Sequence, residues 1–196
     1  MKSINPTVWG PAGWHILHRM SFEFVTVEDA HRFIMSLTHI LPCQKCRLNL
    51  KIHIDKLPIP HDVKDIPLWM WQLHNRVTHS IGKQTHLKSC RQPSFKRVEN
   101  IYTLHKKQIT EIISNESIFL LSVAETHPGA RSVSKEYVDA LFTFITKYVS
   151  SLFEDSDKIH IDKNKIRSRI SFRELIKTIC KSQNKTNGIV LFKECI

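Results

Sequence analysis

Cys43 and Cys46, in the segment PCQKC of residues 42–46, form the only close cysteine pair in the chain. This spacing is typical of a redox disulfide or of half a zinc site. Pro42 directly before the pair predicts that a helix begins there. The N–H groups of a helix start, with Lys45 beside them, stabilise a thiolate. We therefore expect Cys43 to be the nucleophilic thiol and Cys46 the resolving thiol.

Other uses of the cysteine pair remain open. A structural zinc site needs two more ligands, which would be Cys90 and one of the 12 histidines because the chain has no second close pair. A thioredoxin-like fold would place the pair after a strand, whereas a helical pattern precedes it here. Two spectator thiols are a further alternative, although a helix start is a poor place to bury them. A redox disulfide is the favoured hypothesis.

Two segments rich in tryptophan and histidine, residues 9–18 and 69–78, lie on either side of the pair. Each places aromatic and polar side chains on one helical face: Trp14 with His18 in the first, and Trp71, His74 and Thr78, with Asn75 beside them, in the second. One such stripe alone is typical of a packed core. Two stripes around a redox pair favour a planar cofactor stacked between aromatic rings, with histidine and asparagine at its polar edge.

Helical periodicity runs through most of the chain and predicts an all-α fold. Five glycines among 196 residues also favour helices over a many-turned β architecture. The first predicted helix is 13–24, with Pro11 in its first turn; the second is capped by Thr26 and ended by Pro42, and the third opens at the cysteine pair. The fourth is 68–81, ended by Gly82, and the fifth is capped by Ser94 and runs to residue 109. Two more are predicted at 134–153 and 167–181.

The formal net charge of +11 is spread along the chain. Acidic residues interleave with its densest basic cluster, which consists of Lys158, Lys163, Lys165, Arg167 and Arg169. This pattern is typical of a solvated face, so we expect no specific nucleic-acid site. No apolar run approaches the roughly 20 residues of a membrane span, and no apolar stretch of signal-peptide length opens the chain. We expect the protein to work inside a cell or in a particle assembled there.

Taken together, the blocks WGPAGWHILH, PCQKC and LHNRVTHSIGK resemble the Erv/ALR family of FAD-linked sulfhydryl oxidases over roughly residues 9–95. The resemblance implies a four-helix bundle with an additional short helix that binds FAD, at about residues 1–105, and usually a homodimer. A mostly helical extension of unknown role follows at 106–196. The implied enzyme takes electrons from a protein dithiol or a small thiol relay protein and passes them through FAD to molecular oxygen. The products would be a disulfide and hydrogen peroxide.

The resemblance also implies roles for single residues. Cys46 would lie beside the isoalloxazine ring and Cys43 would face the incoming thiol. The implied FAD contacts are Gly10, Gly13, Trp14, His18, His74, Asn75, Val77, Thr78 and Lys83, and no metal ligand is implied. Thr78 stands where the family usually has asparagine. The runner-up function is a non-enzymatic basic binding module whose cysteines hold structural zinc.

Three further cysteines and the extension complete the expectations. Cys90 lacks the partner that would close the family's additional disulfide. Cys180 and Cys195 are the only candidates for a shuttle pair, although buried or idle thiols are favoured. The absence of a shuttle motif suits a large-DNA-virus member of the family. We expect the chain beyond about residue 115 to serve placement or partner binding and to be dispensable for flavin chemistry.

Overall fold

The computed structural model describes residues 3–85, 93–104, 109–152 and 161–184, although the side chains of 83–85, 104, 109–115 and 180–184 lie outside the description. Within these ranges the chain forms helices and no strands, which confirms the all-α class. The helices are α1 Pro6–Ser21, α2 Val27–Ile40, α3 Gln44–Lys56, α4 Ile66–Thr85, α5 Phe95–Leu104, α6 Ile109–Glu125, α7 Lys135–Ser150, α8 Lys163–Ile166 and α9 Arg169–Asn184, with a 3₁₀ turn at Val63–Asp65.

Short polar side chains begin several helices, as the sequence predicts. Thr26 caps α2 by accepting a hydrogen bond of 3.2 Å from the backbone N–H of Asp29. Ser134 caps α7 in the same way, with a distance of 3.1 Å to the backbone nitrogen of Tyr137. The backbone N–H of the third residue of α5 lies 3.4 Å from the hydroxyl of Ser94.

The helices differ from the predicted ones in several places. Helix α1 ends at Ser21 and not at residue 24, and the sequence pattern does not predict α6. Helix α1 begins at Pro6, because Asn5 accepts a hydrogen bond from the backbone N–H of Thr7 and proline suits the first turn. Pro11 therefore lies inside α1, where its missing N–H removes one backbone hydrogen bond without ending the helix. Helix α4 also continues through Gly82 to Thr85, so this glycine does not end it.

The segments on either side of residue 105 share one hydrophobic core. Helix α6 packs against α1, and α7 packs against α2. The rings of Phe33 and Phe144 stack with centroids 4.9 Å apart, and Phe119 lies edge-on to Trp9 at 5.8 Å. The boundary near residue 105 stays a prediction, but this packing is at odds with a dispensable extension because its removal would expose the core faces of α1 and α2.

A buried ionic network also joins the two segments. The guanidinium of Arg19 donates to both carboxylate oxygens of Glu116 at 3.1 Å, and the two side chains are 3% and 0% exposed. Tyr148 donates to the same carboxylate at 2.8 Å, and the hydroxyl of Ser151 accepts from Arg19 at 2.8 Å. Burial lowers the pKa of Arg19, but the carboxylate of Glu116 outweighs burial and the net pKa is raised.

No helix among the described residues is long and apolar enough to cross a bilayer.

Candidate redox site

A disulfide joins Cys43 and Cys46, whose Cα atoms lie 5.1 Å apart. Cys43 is the N-cap of α3, and its sulfur accepts a hydrogen bond from the backbone N–H of Cys46 at 3.2 Å. Cys43 is 8% exposed and Cys46 is partly buried. The predicted helix start at the cysteine pair is confirmed, and the N-cap places Cys43 where a thiolate is stabilised.

The turn that leads into the disulfide is fixed from two sides. On one side, the carbonyl of Pro42 accepts a hydrogen bond of 2.9 Å from the backbone N–H of Ile4, and the indole of Trp9 donates to the carbonyl of Ile4 at 3.2 Å. On the other side, the guanidinium of Arg47 donates to the carbonyl of Leu41 at 2.9 Å. Helices α1 and α3 together therefore hold the residue that precedes Cys43.

Two of the predicted cofactor residues, Trp14 on α1 and His74 on α4, stack directly on each other. Their ring centroids lie 3.9 Å apart at an interplanar angle of 12°. An inserted aromatic ring would need roughly 7 Å between these rings, since nonbonded carbons approach to about 3.5–4 Å. A planar group would have to use the other face of Trp14. Trp71 is not part of this stack, because its indole donates to the carbonyl of Pro93 at 2.9 Å.

His18 links this stack to a second aromatic group that the sequence analysis did not select. Its Nε2 is hydrogen-bonded to Nδ1 of His74 at 2.9 Å. Tyr102 on α5 stacks on His18 with centroids 6.0 Å apart, and its hydroxyl is hydrogen-bonded to Nδ1 of His15 at 2.9 Å. The sequence marks Tyr102 only as an apolar position of α5, because contacts across 80 or more residues leave no local pattern.

The two hydrogen-bonded histidines are neutral at pH 7. Burial, followed by the proximity of His74 and His15, lowers the pKa of His18 from 6.5 to about 3. Burial, followed by the proximity of His15, lowers the pKa of His74 from 6.5 to about 4. Nδ1 of His18 is buried and has no hydrogen-bond partner among the described residues.

The model of the Erv1 / Alr family matches residues 11–100, which include the disulfide, His18 and His74, whereas Tyr102 lies just beyond the matched range. The chain is therefore similar to the Erv1 / Alr family over just under half of its length. A probable FAD-linked sulfhydryl oxidase of Acanthamoeba polyphaga mimivirus is 32% identical over 91 residues. This similarity covers 41% of the chain and 64% of the viral relative, so the chain spans less than two thirds of that relative's length. No solved structure matches the chain.

Helices α1 and α4 offer a cofactor both polar and open positions. Nδ1 of His18 is a buried polar atom without a partner, as expected where a ligand supplies the missing hydrogen bond. A Cβ added at Gly10 would meet no atom within 4 Å, so the surface of α1 is open there. Asn75, Val77 and Thr78 are partly buried on α4. These residues fit a large cofactor with polar and aromatic parts.

Two other predicted cofactor contacts, Gly13 and Lys83, are not supported in the same way. A Cβ at Gly13 would lie 3.0 Å from the ring of Phe119, so Gly13 makes room for α6 of the extension. Lys83 belongs to α4, but its side chain lies outside the described residues. The role of Lys83 in cofactor binding stays a prediction.

The described cysteines do not fit a zinc site. Both sulfurs of the close pair are bonded to each other, whereas zinc would need them as free thiolates. Among the described residues, no three histidine, cysteine or acidic side chains come together as metal ligands. Cys90, Cys195 and the side chain of Cys180 lie outside the described residues, so the disulfide and shuttle hypotheses for them stay untested.

Proposed function

We propose that this protein is an FAD-dependent thiol oxidase that forms disulfide bonds in protein substrates. The observation that carries the proposal is the Cys43–Cys46 disulfide at the first turn of α3, inside a segment similar to the Erv1 / Alr family. A disulfide in this position has one sulfur at the N-cap, where backbone N–H groups stabilise the thiolate that forms when the bond is reduced.

The two cysteines divide the thiol chemistry between them. A substrate thiolate attacks the sulfur of Cys43, which forms a mixed disulfide and releases Cys46 as a thiolate. The second thiol of the substrate then displaces Cys43, so the substrate leaves as a disulfide and the pair is left as a dithiol. When bound, FAD supplies the two-electron acceptor that restores the disulfide and passes the electrons to molecular oxygen, giving hydrogen peroxide.

The cofactor-binding residues divide into aromatic and polar groups. The ring face of Trp14 that is not stacked on His74 would support a planar part of FAD. Nδ1 of His18 would supply a buried hydrogen bond, and the partly buried side chains of Asn75 and Thr78 lie on the helix that carries His74. Gly10 would allow close approach to the start of α1.

The proposal extends to partners and location. The substrate is a protein dithiol or a small thiol relay protein, and the enzyme acts inside a cell or in a virion as a homodimer. Exposed apolar side chains suited to an interface are Val8 on α1, which is 55% exposed, and Leu48 and Ile52 on α3, which are 56% and 49% exposed. Sedimentation of the purified protein measures the dimer directly, and a purely monomeric species would exclude it.

Colour and oxygen consumption test the activity. The purified protein should be yellow with flavin absorbance and should consume oxygen when dithiothreitol is added. Both Cys43→Ser and Cys46→Ser should abolish this turnover while flavin stays bound. The double variant Cys180→Ser/Cys195→Ser serves as the matched control and should turn over dithiothreitol like the wild type. A colourless, zinc-loaded protein, or near-normal oxygen consumption by either single variant, would contradict the proposal.

The Cys46→Ser variant also identifies the substrate. Cys43 of this variant is a free thiol that can attack the disulfide of an already oxidised substrate, which is the reverse of the forward step. One substrate sulfur leaves as a thiolate, the other stays bonded to Cys43, and no resolving thiol remains in the pair to release it. Incubation of this variant with cell or virion extract should therefore yield a covalent adduct that dithiothreitol cleaves. The same adduct should be absent from the Cys43→Ser variant.

A further inference from the structure

The starting observation is the unpartnered Nδ1 of His18. His18 is 6% exposed, and this nitrogen has no hydrogen-bond partner among the described residues. Most buried polar atoms in proteins are hydrogen-bonded, so an exception calls for an explanation. The other ring nitrogen of His18 is bonded to His74, and Tyr102 is bonded to His15, so neither neighbour supplies the missing bond.

The His18–His74 hydrogen bond allows two arrangements of protons when both rings are neutral. In the first, Nδ1–H of His74 donates to Nε2 of His18, and the second proton of the pair lies on Nδ1 of His18. In the second, Nε2–H of His18 donates to Nδ1 of His74, and the other proton lies on Nε2 of His74. Changing between these arrangements exchanges a proton at Nδ1 of His18 for one at Nε2 of His74.

The surroundings keep both rings uncharged during this exchange. Burial and the neighbouring His15 lower the pKa of both histidines, as described above. The nearest titratable groups on the packed elements are His15 on α1 and Tyr102 on α5, and burial raises the pKa of Tyr102 so that it stays protonated. A relay of two neutral rings therefore needs no buried imidazolium, whose desolvation would be costly.

We propose that His18 and His74 form a two-ring proton relay between solvent and the interior of the bundle, with Nδ1 of His18 as the inner end and Nε2 of His74 as the outer end. In one transfer Nδ1 of His18 gives its proton to a basic group in the interior, the proton of His74 Nδ1 moves to His18 Nε2, and His74 Nε2 takes a proton from solvent, so one proton has moved inward. Each ring is neutral before and after, and the reverse transfer restores the first arrangement. His74 is only partly buried, which suits it to the outer position.

The relay rests on the proposed function, which requires protons in a place that excludes water. Oxidation of two thiols releases two protons with the two electrons, and formation of hydrogen peroxide takes up two protons. Nδ1 of His18 is a buried atom at which a proton can be held next to the residues predicted to contact the cofactor. General acid–base groups of this kind typically contribute about 10²–10⁴-fold to a rate.

Nitrogen-15 NMR of the histidines tests the relay without any turnover. In the wild type, both ring nitrogens of His18 should show averaged shifts from two exchanging neutral tautomers. The His74→Phe variant keeps a ring to stack on Trp14 but cannot bond to His18, so it should leave His18 in one tautomer. A single tautomer of His18 that is the same in the wild type and in this variant would overturn the relay.

Chemical rescue tests the same relay during turnover. His74→Ala should lower kcat about 10²-fold, and added imidazole should restore at least a tenth of it because imidazole can take up a proton on one nitrogen and release one from the other. Added 1-methylimidazole, which has nearly the same shape but only one free nitrogen, should restore nothing. His31→Ala, which removes an exposed histidine of α2, is the matched control and should respond to neither compound.

Failure of the relay and failure of the proposed function are distinguishable. Equal rescue by imidazole and 1-methylimidazole would mean that the ring of His74 acts as a spacer, which overturns the relay while thiol oxidation stands. A wild type that binds no flavin and oxidises no dithiol would overturn the proposed function. In that case the NMR tautomers of His18 still decide whether the two rings exchange protons.

Discussion

Replacing Glu116 with glutamine tests how strongly the buried ionic network joins the two segments of the chain. Glutamine has nearly the same volume as glutamate but no charge. The guanidinium of Arg19 would keep its place, 3% exposed, without its hydrogen-bonded anion, and only the weaker attraction of Glu23 would remain. Two hydrogen bonds from Arg19 and one from Tyr148 would lose their charged acceptor.

The expected loss follows from burial. Removing one partner of a buried ion pair costs about 3–5 kcal/mol, because the remaining charge stays desolvated without compensation. In a chain of this size each 1 kcal/mol shifts the melting temperature by roughly 2–4 °C, so we expect Glu116→Gln to lower it by about 6–20 °C. Arg19→Met/Glu116→Leu removes both charges and should recover most of the loss.

The measurement is thermal and urea unfolding. The wild type, Arg19→Met, Glu116→Leu and the double variant Arg19→Met/Glu116→Leu form the double-mutant cycle, and Glu116→Gln is measured beside them. Glu174→Gln is the matched control, since its side chain is 62% exposed and its partner Lys177 is 47% exposed. This control should leave the unfolding midpoint almost unchanged. A Glu116→Gln midpoint within error of the wild type would refute the reasoning, because it would mean that Arg19 finds water or another anion.

Further predictions concern acid stability, two glycines and the extension. Because the pKa values of His18 and His74 are about 3 and 4 in the folded chain but 6.5 when unfolded, the unfolded state binds more protons below pH 6.5. Urea unfolding should therefore show a loss of at most about 2 kcal/mol per histidine from pH 7 to pH 5, and a constant stability would contradict these shifts. Gly13→Ala should destabilise the chain by about 1–3 kcal/mol, because the added Cβ would press on the ring of Phe119. Gly10→Ala should stabilise the chain by about 0.5–1 kcal/mol, because the added Cβ meets no atom and alanine favours a helix. Calorimetry of both variants measures these opposite changes in the free energy of unfolding. A chain that stops at residue 115 should fail to fold, because it lacks half of the shared core. A helical circular dichroism spectrum with a cooperative melting transition in that truncated chain would contradict this prediction.

Local features of the sequence predicted what depends on neighbouring residues. Thr26, Ser94 and Ser134 bond to backbone nitrogens three residues on, so each helix start can be read from a few residues. The same holds for Cys43, whose sulfur serves as the cap of α3. The start of α1 differs from the prediction because two prolines suit a first turn: Pro11 fits the pattern, but Asn5 is the N-cap and Pro6 opens the helix.

Long-range partners were not predictable in this way. Glu116 and Tyr102 meet α1 across 97 and 87 residues, and a single sequence contains no signal for such pairs. The sequence placed Trp14 and His74 near one another but did not reveal that their rings touch. It also separated a cofactor domain from an extension, because composition does not show that Phe119 fills the space beside Gly13.

The shared core has a consequence for the order of events during synthesis. A ribosome adds about 5–20 residues per second, so roughly 5–20 seconds pass between the emergence of the cysteine pair and that of α7. Until then α2 lacks the helix that covers it, and the carboxylate of Glu116 lacks the hydrogen bond from Tyr148. The redox cysteines consequently leave the ribosome several seconds before the helix that completes the shared core. Chaperones or reducing thiols that act during this interval would determine how much of the newly made chain reaches the folded, oxidised state.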